Sequence, residues 1–162
     1  MLIHDFINLF TNHLFFHHQN VKTMNWTKFL LATLIGGVAY FLLGWGVYGV
    51  LLKDVLALPA EFKGTVEYPE DQFKISLMFA SCLVWAALFS FIFLRWANIS
   101  TFMGGMKAGA LLGLLITLSS LLGLAAQFRI WTLQSIPMEL VANIICSSLM
   151  AGLIGWFIGR NK

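Results

Sequence analysis

Residues 29–52 read FLLATLIGGVAYFLLGWGVYGVLL, a run without one charged side chain. At ~1.5 Å per residue, a helix of that length exceeds a hydrocarbon layer ~30 Å thick. No water reaches the backbone there, so a spanning segment must close its own hydrogen bonds, which a helix does. Three further stretches of the same kind follow at 73–94, 104–126 and 137–158, each free of charge through its centre. The chain is therefore expected to be all-α, a polytopic membrane protein folded as a four-transmembrane-helix bundle over residues 24–162.

Composition leads to the same class. Hydrophobic residues make up 59% of the 162 residues and charged ones only 10%, against roughly 25% charged in soluble domains. A water-soluble fold this small leaves too much surface wet to hide that apolar content. Four spans also leave no room for a soluble catalytic domain. The net charge of +3 does not point to nucleic acid, because the ten Lys and Arg are scattered at helix ends, where they snorkel toward headgroups. The expected partner is the lipid bilayer.

Residues 1–23, MLIHDFINLFTNHLFFHHQNVKT, differ from the rest. Their apolar runs are too short to span, and Asp5 stands where a signal peptide carries positive charge. Met24 is the expected natural start, with an interfacial amphipathic segment as the alternative. His13 and His17, at i and i+4, share one helix face, but no carboxylate or cysteine lies nearby to complete a metal site. Neither a metal nor a cofactor is expected. Cys82 and Cys146 each lie nine residues past a span's start at Phe73 and Pro137, which places two small apolar side chains at similar depth in helix interfaces.

Six basic residues (Lys22, Lys28, Arg95, Lys107, Arg160, Lys162) fall on one side of these spans and four (Lys53, Lys63, Lys74, Arg129) on the other. The positive-inside rule then puts both termini in the cytoplasm. Trp26, Trp96 and Trp156 would mark the inner interface, Tyr48 and Trp131 the outer one. Ser100 or Thr101 is placed to cap the third helix, and Pro137 suits the first turn of the fourth.

Lipid tails are as apolar as leucine, so spans associate by close backbone approach and interhelical polar contacts. Gly105, Gly109 and Gly113, four apart and continued by Thr117, make a small-residue ridge on the third span. Ala151, Gly155 and Gly159 make one on the fourth, with Ser148 and Gly152 beside it, and Gly44 stands among the glycines of the first. These ridges predict tight packing, within the chain or between two copies. Polar residues at depth must find partners. Glu139, Asn143 and Ser147 form a stripe at intervals of four, and Tyr40 lies near the middle of the first span. In one reading Glu139, Asn143 and the tyrosines line an outward-facing polar cavity where Glu139 takes a cation or proton. In the other, Glu139 is held at a helix N-terminus, where an anion gains about 0.3–1 kcal/mol, pairs with Arg129, and Asn143 bonds across helices.

The first span, from Ala39 to Leu52, carries a glycine and then aromatics ending in Tyr48-Gly49. With the glycine-spaced entry to the third helix and the glycine-rich fourth, this resembles a group of small four-span bacterial integral membrane proteins of uncharacterised function, over about 24–160. It departs in separating Trp45 from Tyr48. The resemblance implies a four-span architecture and a bacterial cytoplasmic membrane, and supplies no mechanism. Small multidrug-resistance transporters are a different four-span class; they use a glutamate in the first helix, and residues 29–52 contain none.

Intramembrane catalysis needs a nucleophile with a base, a metal set, or paired carboxylates. Lys107 and Ser119 or Ser120 are separated by about three turns, ~18 Å, and no catalytic residue is assigned. The expectation is a non-enzymatic inner-membrane protein of structural or accessory type that self-associates through its glycine ridges. The alternative is a small oligomeric transporter or channel component using Glu139, Asn143 and Tyr40.

Overall fold

The computed structural model describes residues 24–53, 68, 72–128 and 135–160. Four helices cover most of them: α1 (Trp26–Leu51), α2 (Ile75–Ala97), α3 (Phe102–Gln127) and α4 (Ser135–Arg160). All four are long and apolar enough to cross a membrane. The chain is a multi-pass membrane protein with an all-α bundle. The extension 1–23 with His13 and His17, most of the first loop, and Arg129 with Trp131 lie outside the described residues.

Each helix departs from its apolar stretch by a few residues. α1 starts before Lys28, α2 continues past Arg95, α3 starts before Lys107 and α4 ends on Arg160. The long basic side chains reach water from a helix that is still inside the headgroup layer, so a charge does not end the backbone ladder. Side-chain caps set two starts. Asn25 Oδ1 accepts from Lys28 N at 3.0 Å, and Thr101, one of the two expected caps of α3, accepts from Gly104 N at 3.1 Å. Asn98 closes α2 in the left-handed region at φ 49° and ψ 32°, which asparagine tolerates better than most residues. That turn lets α3 begin four residues later. The last turns of α1 (Val47–Leu51) and α2 (Ile92–Ala97) widen to π geometry.

Successive helices run antiparallel. Tyr40 meets Asn143 across α1 and α4, Phe41 stacks edge-on against Phe79 across α1 and α2, and Gly109 faces Ser147 across α3 and α4. The N-terminal end of α1 and the C-terminal end of α4 therefore lie on the same side of the bundle.

α4 is its axis. Half of the apolar window of α4 is buried inside the protein, against 17% for α1, 28% for α2 and 17% for α3. The reason is that α4 carries two packing faces. Ser148, Ala151, Gly152, Gly155 and Gly159 turn toward α3, and Asn143, Ser147, Met150, Ile154 and Ile158 turn toward α1 and α2. The first face is a backbone-to-backbone seam. A Cβ on Gly109 would stand 2.5 Å from Ala151 Cβ and 2.6 Å from Ser147 O, and one on Gly155 would stand 2.5 Å from Thr101 O. Gly105 lies against the Ala151 carbonyl, Gly113 against Ser147, Gly152 against Phe102 and Met106, and Gly159 against the Ser100 carbonyl. Ser148 Oγ donates to Met106 O at 3.0 Å across the seam.

Six of the seven glycines singled out for packing thus sit between α3 and α4. Gly44 does not: a Cβ there meets nothing within 4 Å. The close-approach glycines of α1 are Gly36, against Ile154 and Ala86, and Gly37, against Leu83. With the two ridges facing each other inside one chain, neither is open to a second copy.

The other face of α4 closes the core. Phe89, Phe93, Met150 and Ile154 are fully buried, with Ala32, Ala86 and Ile158 around them. All of these lie in the half of the bundle that holds the α1 start and the α4 end.

Candidate functional site

A polar column begins at mid-bundle and runs into the other half. Glu139, Asn143 and Ser147 follow one another down α4 at one turn each, about 6 Å apart, on the face toward α1 and α2. Asn143 Nδ2 donates to the Tyr40 hydroxyl at 3.1 Å. Ser147 Oγ donates to Asn143 Oδ1 at 3.0 Å and accepts from Trp85 Nε1 at 3.3 Å. The result is a row of three side chains from α1 and α4, tied to α2 by the indole. Each of the four side chains has a hydrogen-bond partner, the condition for holding polar groups in an apolar medium.

Glu139 lies one turn further out. It is half-buried, and its carboxylate lies beside the Tyr48 hydroxyl. The π turn at the end of α1 carries Tyr48, with Val47 and Leu51 beside it. Tyr48, expected near the outer interface, lies beside Glu139 near the start of α4. Of the four residues singled out for an ion site, Asn143 and Tyr40 are in contact and Glu139 lies one turn above them. Arg129 lies outside the described residues; the side chain beside Glu139 is that of Tyr48.

Sequence reasoning missed Trp85. Its signal was available: a tryptophan at mid-span, remote from either interface, carries an N–H that must find an acceptor. Trp85 also begins an aromatic file. Its ring lies 6.4 Å from Tyr40 and 5.8 Å from Phe89, and Phe89 lies 6.2 Å from Phe93. Positions 85, 89 and 93 are four apart on one helix face, so the file descends from the polar row into the dry half. Two buried hydroxyls in that half, Thr33 Oγ1 and Ser90 Oγ, have no hydrogen-bond partner among the described residues. The chain of hydrogen bonds therefore ends at Ser147 and Trp85. Cys82 and Cys146 are both buried, at the depth of Tyr40. Among the described residues no three His, Cys, Asp or Glu come together as metal ligands.

No protein-family model, curated protein or solved structure matches this chain.

Proposed function

We propose that the chain is a non-enzymatic membrane protein of structural or accessory type. We place it in a bacterial cytoplasmic membrane with residues 24 and 160 toward the cytoplasm, where Lys28, Arg95, Lys107 and Arg160 follow the positive-inside rule. One observation carries this reading. Tyr40, Asn143, Ser147 and Trp85 bond to one another, and below them Phe89, Phe93, Met150 and Ile154 fill the inner half without solvent exposure. A polar path entered from outside ends at Tyr40, Asn143 and Ser147. The bundle is then a fixed object that presents its lipid-facing sides, and any self-association uses those sides.

The two native cysteines test this without a substitution. Cys146 is 0% exposed and Cys82 is 8% exposed. In liposomes, neither is expected to react with a membrane-impermeant maleimide while the protein is folded, and both should react after denaturation. Rapid labelling of Cys146 in the folded protein would mean that water reaches the Tyr40–Asn143 pair, and would overturn the reading.

A second reading rests on Glu139. A carboxyl inside a span is a functional candidate by its cost alone, and Tyr48 offers it a hydroxyl rather than a neutralising cation. On this reading Glu139 and Tyr48 form an outward-facing cation or proton site, and conduction needs a rearrangement of the inner aromatic file.

A further inference from the structure

The seam between α3 and α4 sets their apolar runs out of step. α3 is free of charge over 108–126 and α4 over 140–159, so helices packed in step would put Lys107 level with Arg160. Instead, Ser148 Oγ donates to Met106 O and Gly109 lies against Ser147 and Ser148, which puts Lys107 level with Ser148. From Ser148 to Arg160 is about 18 Å along α4, and from Ser148 to Glu139 about 14 Å. Lys107 therefore stands near the middle of a ~30 Å hydrocarbon layer. It also stands on the lipid side. Two residues from both Gly105 and Gly109, it lies on the side of α3 opposite the seam. It is exposed, and Met103 and Leu111, one turn to either side, are 60% and 58% exposed.

A charged side chain at that depth needs an opposite charge or water. Glu139 is the one acid among the described residues, and it lies beside Tyr48 of α1. The Lys107 side chain leans toward the α3 start and reaches about one turn, to the level of Met103 and Gly152, still about 12 Å short of Arg160. α3 itself begins low on α4: the Ser100 carbonyl lies against Gly159 and the Thr101 carbonyl against Gly155. Asn98 and Thr101 are exposed, so polar groups step down from the rim of the bundle toward Lys107.

We propose that Lys107 pairs with the phosphate of a phospholipid in the leaflet on the side of the α1 start, drawn inward along α3. That leaflet is then thin beside α3 and of ordinary depth beside α1. Phosphate is the anion that a bilayer supplies all over its surface, and it complements the ammonium. Thinning a leaflet has a modest cost for each ångström, whereas an ammonium left in hydrocarbon has a large one.

The test uses the full chain in phosphatidylcholine vesicles, with one spin label attached at Met103→Cys or at Val38→Cys in Cys82→Ala/Cys146→Ala protein. Val38 follows Gly36, which lies against Ile154, so it too is level with Gly152, and it is exposed. The label at 103 is expected to show electron–nuclear coupling to lipid phosphorus and fast relaxation by a water-soluble nickel chelate. The label at 38, at the same depth, should show neither. Lys107→Leu should abolish both signals at 103, and Lys107→Arg should keep them. Nickel access at 103 without phosphorus coupling would mean a water defect only and would overturn the proposal. So would labels equally dry at 103 and 38, or a phosphorus coupling that survives Lys107→Leu.

Discussion

Leucine in place of Gly109 is expected to separate α3 from α4. The obstacle is already present at the first added carbon, 2.5 Å from Ala151 Cβ and 2.6 Å from Ser147 O. Neither atom belongs to a side chain that can rotate away, so the helices themselves must part. Overpacking a core usually costs about 1–3 kcal/mol. Here the seam is lost along its length, including the Ser148–Met106 hydrogen bond, and we expect about 3 kcal/mol or more. Gly44→Leu is the control, since a Cβ at Gly44 enters open space; it should change stability by no more than about 0.5 kcal/mol. Unfolding of the purified protein by a denaturing detergent, followed by circular dichroism and fluorescence, measures both. Equal stability of Gly109→Leu and wild type would mean that the seam does not hold α3 in place.

Asn143→Leu is expected to give the second-largest loss. It removes the donor to Tyr40 and the acceptor of Ser147 in one step, so the hydroxyls of two helices lose partners inside the bundle. Interhelical hydrogen bonds in membranes contribute about 0.6 kcal/mol on average and up to about 1.7, which gives about 1–2 kcal/mol for the pair. Tyr40→Phe should cost less, because Asn143 and Ser147 still bond to each other. The double variant should fall short of the sum of the two singles by about 0.5 kcal/mol or more, as neighbours that share a network do. The same detergent unfolding reads all three. Additive losses would show that the polar row contributes nothing as a unit.

The spans were legible because the bilayer imposes one rule on all of them: apolar over its thickness and hydrogen-bonded within itself. The ends were less so. Lys28 and Arg95 look like boundaries in sequence, yet the helices pass through them, since a flexible basic side chain lets the backbone stay ordered. The seam between α3 and α4 was legible for a similar reason. Glycines four apart on two neighbouring spans have few uses other than close approach, and Gly105, Gly109, Gly113, Gly152, Gly155 and Gly159 all serve it. What the pattern left open was whether one chain or two would make the contact.

In α1 the reasoning had less to hold. Lipid does not sort faces by polarity, so nothing near Gly44 marks it as lipid-facing, or Gly36 and Gly37 as buried. That choice follows from Ile154 and Leu83 on other helices. The polar stripe of α4 could be read from its spacing, but its partners could not. Tyr40 and Tyr48 lie on another helix in a register fixed by packing, and the π turn that presents Tyr48 to Glu139 leaves no signature in the sequence. Trp85 was hidden among apolar neighbours, and only its N–H marks it as polar.

The central claim is that the polar column of this bundle ends inside it. Purified protein in liposomes, assayed for proton and cation flux with wild type beside Glu139→Gln, tests that most directly. The account predicts no flux above that of protein-free liposomes for either, with both proteins folded. Flux in the wild type that disappears in Glu139→Gln would contradict it and make Glu139 a coupling site.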